Sequence, residues 1–305
     1  MSKELGIIVI HGMGSQGEEF AQKMIDEINY LVNDDHDKDS AKIAWKPVHW
    51  ADILEPRELD YLKEARKEND LDFIGLRKFV LTKLGDAVAY QQIKGRNNTN
   101  KTYEEIHSRV KDDIKGLYTN GLQSNNKPLV VIAHSLGAAI MSNYIYYCSL
   151  KTCFLSKFFL LFSRAAALFG RGPLAALWDI QKEIADTAGM SSFKKMDTLS
   201  GMIAFGCNLP LFTFAYDPVE AIKFPSDNLP DDLKQKAKCH NYFDRNDILG
   251  YPLKAISPSY INVVSEDIEI NVGNIFSSWN PMSHIKYWTG NDFTKPVSKL
   301  ISEFL

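Results

Sequence analysis

A basic excess is what this chain most plainly lacks: 35 Lys and Arg stand against 38 Asp and Glu, for a formal net charge of -3. Little is therefore available to neutralise a phosphate backbone, and nucleic acid is a poor fit as a partner. Cysteine is scarce too. Cys148, Cys153, Cys207 and Cys239 form no C-x-x-C pair and no metal-ligand spacing, so neither a disulfide framework nor a metal site is expected, and we read the thiols as reduced. No secretory signal is expected either, because the apolar stretch from Leu5 to Ile10 is too short for one and runs straight into glycines. These absences predict a cytoplasmic protein. What is present, 305 residues of which 45% are hydrophobic and 24% charged, suffices for one large core with insertions or for two small domains.

Ile7-Ile8-Val9-Ile10 reads as a buried parallel strand opening into a glycine loop, followed by helical spacing from about 18 to 32. A second strand is expected from Ile43 to Trp50. A long helical region from about 56 to 122 follows, with Leu76, Val80, Leu84 and Val88 as its core-facing stripe. Pro128 to Ala133 is the clearest strand, and helix resumes at once through Ala138, Ile140, Met141 and Tyr144. Further strands are expected at 202–207, 240–243 and 260–264, and a helix closes the chain near Phe304. The apolar helical stretch 150–196 interrupts this alternation and reads as an insertion into a core made of 1–149 and 197–305. Alternating strands and helices predict a mostly parallel sheet with helices on both faces, whose site lies beyond the carboxyl ends of the strands.

At one such end stands Ala133-His134-Ser135-Leu136-Gly137. A serine in a sharp strand-to-helix turn needs small residues two before and two after it, and Ala133 and Gly137 supply them. The plainer reading is a serine that only caps the helix. A nucleophilic serine needs a base later in the chain, and His284, on a loop before a short apolar helix, is placed for it, whereas His240 starts a strand, at the wrong end for the site. The acid is expected after the preceding strand. Asp247 is preferred there, with Asp244 as its alternative and Asp217, one strand earlier, as an outside candidate. Donors for an oxyanion would be the Leu136 amide and an amide of His11-Gly12-Met13-Gly14, with Met13 preferred and Gly12 next. His11 is expected to fix that loop by hydrogen bonding. Trp45, His49 and Trp50 on the second strand either line the site or pack under helices.

Taken together, His11-Gly12-Met13-Gly14, Ala133-His134-Ser135-Leu136-Gly137, Asn246-Asp247 and Ser283-His284 resemble the α/β-hydrolase superfamily in its lipase and esterase branch. The order Ser, Asp, His is similar to the superfamily's. The likeness implies a sheet lacking the family's first two strands, with 150–196 as a helical cap. It also implies an acyl-enzyme on Ser135, formed from a carboxylic ester or lipid, with no cofactor or metal.

Two rival readings carry their own signals. Gly12-x-Gly14-x-x-Gly17 satisfies a dinucleotide fingerprint, yet no acidic residue falls at the end of the following strand at the required distance: Asp34, Asp35 and Asp37 precede that strand, and Asp52 lies too far along. A non-catalytic binding protein on the same fold is the other rival. Within the insertion, 153–169 is rich in Phe and Leu but too short and too cationic for a membrane span. It reads as a buried helix, an oligomer contact, or a lid over an acyl pocket that touches lipid at a membrane surface.

Overall fold

The computed structural model describes residues 3–91, 101–148, 193–214, 216–272, 284 and 287–305. Six strands build one all-parallel sheet in the order β2-β1-β3-β4-β5-β6: β1 Leu5–Ile10, β2 Ile43–Val48, β3 Leu129–His134, β4 Leu199–Phe205, β5 Lys238–Phe243 and β6 Glu266–Glu269. Every residue of β1, β3 and β4 is buried, as expected of strands covered on both faces. The chain leaves β1 on one side to make β2 and returns on the other to make β3. That reversal creates a topological switch point between β1 and β3, where side chains from two loops can converge.

Helices cover both faces. On one, Ile7, Val9, Val130, Ile132 and Ile203 pack against α1 (Gln22–Asp34) and against Phe293, Val297 and Ile301 of the C-terminal helix Asn291–Ser302. On the other, Ile8, Ile10, Val131 and Ala133 meet Ile106, Val110 and Ile114 of α4 (Lys101–Gly116) and Leu136, Ile140 and Met141 of α5 (136–148). The four-residue spacing in α4 is what keeps one stripe on the sheet. Among the described residues no helix is long and apolar enough to cross a membrane.

Several expectations are corrected. The helical region expected over 56–122 is several helices: α2 (Glu55–Glu68), α3 (Ile74–Ala89), α4 and a π-helical turn, Leu117–Leu122. Leu76, Val80, Leu84 and Val88 do not face the core. They are 61%, 44%, 58% and 65% exposed, while Thr82 and Asp86 of the same helix are buried. The strand expected at 260–264 is the helix Pro258–Val263, which begins with proline in its first turn. The strand comes later, at Glu266–Glu269, an edge strand whose acidic sequence hides its strand character and guards against edge pairing. Phe193 and Met196, assigned to the insertion, are core residues, Phe193 lying beside Tyr118. Residues 150–192 of the expected insertion, with the 153–169 stretch, lie outside the described residues.

Candidate active site

Ser135 follows β3 directly, with φ 52°, a left-handed conformation that a side-chain-bearing residue adopts only when its surroundings enforce it. Its N–H donates to the Phe205 carbonyl of β4 at 3.0 Å, and its own carbonyl accepts from Ala138. The crowding expected of such a turn is visible. A Cβ on Gly137 would lie 2.7 Å from the His11 carbonyl and 2.9 Å from that of Ile10, and one on Gly12 would lie 2.5 Å from the Ser135 Cβ. Glycine at 137 lets α5 approach β1, and glycine at 12 lets the first loop pass over the serine.

Three residues far apart in the chain meet at this rim. Ser135 Oγ lies 2.7 Å from His284 Nε2, and His284 Nδ1 lies 2.8 Å from Asp247 Oδ2. All three are buried. Burial raises the Asp247 pKa, but the His284 hydrogen bond and charge, the Leu249 amide and the Tyr287 hydroxyl outweigh it and hold the carboxyl below its usual value. An ionised Asp247 accepts Nδ1–H and leaves Nε2 as the acceptor for the serine hydroxyl. The neighbouring acids are engaged elsewhere. Asp244 accepts the Asn246 amide at 2.8 Å and the Val272 amide at 2.8 Å, so it shapes the loop after β5 rather than orienting the imidazole. Asp217 is exposed on the surface. Neither alternative acid makes a hydrogen bond to His284 among the described residues.

The loop after β1 is anchored by His11. Its Nδ1–H donates to the Gly12 carbonyl at 2.8 Å, its Nε2 accepts the Trp50 amide at 3.0 Å, and its ring stacks on Trp50 at 4.9 Å. Burial pushes its pKa down to about 3, so the ring is neutral, and with both nitrogens occupied it has no base function to offer. In a trans peptide the Gly12 carbonyl and the Met13 N–H point opposite ways. Holding the carbonyl on His11 therefore turns the Met13 amide away from it. Among the described residues no protein acceptor takes the Met13 or Leu136 amide hydrogen. Trp50 thus packs under the loop, His49 bonds the Gln16 carbonyl at 2.6 Å, and Trp45 turns to Asn29 of α1 at 3.0 Å.

Four contributors escape a reading of sequence alone. Tyr287 donates its hydroxyl to Asp247 Oδ2 at 3.0 Å while accepting the Asp244 amide at 2.9 Å. His134 Nε2 donates to the His284 carbonyl at 2.8 Å, fixing the backbone of the imidazole from below. Burial pushes the His134 pKa well down and keeps it neutral. Lys83 and Asp86 reach the first loop from α3: Lys83 Nζ donates to the Met13 carbonyl, and the Gly14 amide donates to Asp86 Oδ2 at 2.6 Å. Only Tyr287 had a usable signal, being three residues from His284.

The dinucleotide fingerprint does not fold as one. A Cβ on Gly17 would meet nothing within 4 Å, so no close helix-on-strand packing requires that glycine, and α1 begins only at Gln22. Among the described residues no group of three or more His, Cys, Asp or Glu is arranged to hold a metal ion. Compared with known proteins, the chain matches no family model and no curated sequence.

Proposed function

We propose that the chain is a serine hydrolase of the α/β-hydrolase type, in the lipase and esterase branch, that cleaves a carboxylic ester through an acyl-enzyme on Ser135. The observation that carries this reading is the continuous path Ser135 Oγ, His284 Nε2, His284 Nδ1, Asp247 Oδ2, with links of 2.7 and 2.8 Å. A serine hydroxyl is a weak nucleophile until a base takes its proton as it attacks. His284 takes that proton, and Asp247 stabilises the imidazolium that results. The carbonyl oxygen gains charge in the same step, and the Leu136 and Met13 amides stabilise it. His284 then returns the proton to the leaving alcohol. Water, activated by the same imidazole, attacks the acyl carbonyl and frees Ser135.

The six-stranded parallel sheet, covered on both faces and carrying the site at its switch point, supports the superfamily reading. The test is hydrolysis of p-nitrophenyl esters of graded acyl length by wild type and Ser135→Ala. Turnover by wild type that disappears in the variant supports the proposal, and equal rates in the two proteins refute it.

A further inference from the structure

α3 is turned the wrong way round for a surface helix. Its apolar stripe, Leu76, Val80, Leu84 and Val88, faces solvent, and its inward face carries Thr82, Lys83 and Asp86. A rotation that buried the stripe would satisfy the usual rule for an amphipathic helix. It would also withdraw Lys83 and Asp86 from the loop after β1.

What those two side chains hold is a single peptide unit. The Met13 carbonyl and the Gly14 N–H are the two poles of the Met13–Gly14 peptide, the first taken by the Lys83 ammonium and the second by the Asp86 carboxylate at 2.6 Å. Gly14 stands at φ 90°, and Gly12, Gly14 and Gly17 make this loop soft. The preceding peptide, which bears the Met13 N–H, is held through its carbonyl by His11. Successive peptides of the loop are thus fixed from two sides.

We propose that Lys83 and Asp86 are positioning residues of the oxyanion hole: by gripping both poles of the Met13–Gly14 peptide they keep the Met13 N–H aimed at the oxygen that becomes charged. The inference rests on Ser135 being the nucleophile. Its physical content is preorganisation, since a donor already in place stabilises developing charge without reorganising during the reaction. Burial works against both groups, pushing the Asp86 carboxyl up to about 6 and the Lys83 ammonium down. The negative charge of Glu55 in α2 adds to the cost of charging Asp86, and Asp86 in turn helps to raise Glu58 of the same helix.

The test uses the full chain with a matched pair of substrates, a p-nitrophenyl ester and its thionoester. Sulfur is larger than oxygen and accepts hydrogen bonds poorly, so a well-aimed oxyanion hole favours the oxygen ester and a loosened one discriminates less. Rates are expressed per Ser135 titrated to completion with a fluorophosphonate. For Asp86→Ala and Lys83→Met we expect kcat on the oxygen ester to fall on the order of 10-fold to 100-fold, KM to stay within about twofold, and the ester to thionoester ratio to fall about 10-fold. Asp86→Asn, which retains an acceptor for Gly14 N–H, should recover part of that ratio and covers the case in which the alanine variant does not fold. The double variant should be little worse than either single one, because both act on the same peptide. Folded variants with a wild-type ratio and kcat overturn this inference alone. A folded wild type that cleaves neither ester and leaves Ser135 unlabelled overturns the hydrolase reading and this one with it.

Discussion

Replacing Asp86 by asparagine removes a carboxylate that the fold ionises at a cost, and the cost can be worked from the structure. The side chain is 3% exposed, and burial raises its pKa from 3.8 to about 6 despite the Gly14 amide and the Lys83 charge. A carboxyl with a higher pKa in the folded than in the unfolded chain binds its proton more tightly when folded. Its contribution to stability is therefore complete below about pH 4 and is lost as the pH rises through about 6. At about 1.4 kcal/mol for each tenfold change in proton affinity, the loss is roughly 3 kcal/mol. Asparagine does not titrate. The stability of Asp86→Asn minus that of wild type should accordingly grow by roughly 2.4 kcal/mol between pH 4 and pH 7, most of the full difference. Glu58, raised to about 7 by burial and then by the Asp86 charge, titrates in both proteins; the part due to burial cancels in the difference, and the part due to Asp86 is lost in the variant and widens the difference in the same direction. Urea unfolding at half-unit pH steps, followed by tryptophan fluorescence, measures this directly. Parallel pH curves for the two proteins would refute the reasoning, as would a difference that shrinks with rising pH.

Other outcomes follow from the same contacts. Asp247→Asn should leave the fold intact and lower kcat on the order of 10,000-fold, because an amide in place of the carboxylate holds His284 in the wrong tautomer; steady-state kinetics checks it. Tyr287→Phe removes the hydroxyl that donates to Asp247 and strands the buried Asp244 amide. It should cost about 1–3 kcal/mol in urea unfolding. Leu84→Gln on the solvent face of α3 should change stability by no more than about 0.5 kcal/mol, where a core leucine would cost several times that. A loss above about 2 kcal/mol there would mean that the face is covered.

Backbone geometry with a local signature was legible in the chain. Val130 to Ala133 followed by Ser135 and Gly137 combines a β-branched run, a turn and a small residue at fixed offsets, and each feature reflects a backbone constraint within a few residues. The loop after β1 was legible for the same reason. Facing direction was not. Leu76, Val80, Leu84 and Val88 have a helical period, but periodicity gives the stripe and not the side it faces, and here buried polar contacts to Met13 and Gly14 decide it. Asp244 and Asp247 were separable only by preference, since both lie in the same turn. What divides them is that Asp244 is taken by the Asn246 and Val272 amides, a long-range fact. β6 was missed because edge exposure gave it a polar sequence, and 258–263 was misplaced because Tyr260, Ile261, Val263 and Val264 resemble a strand while Pro258 starts a helix.

The most direct test of the account is covalent. Wild type, Ser135→Ala and His284→Ala are treated with a fluorophosphonate and mapped by peptide mass spectrometry. The account predicts one modified residue in wild type, Ser135, no modification in Ser135→Ala, and labelling slowed by several orders of magnitude in His284→Ala. Folded wild type that takes up no reagent, or Ser135→Ala that reacts as fast as wild type at another residue, would contradict it.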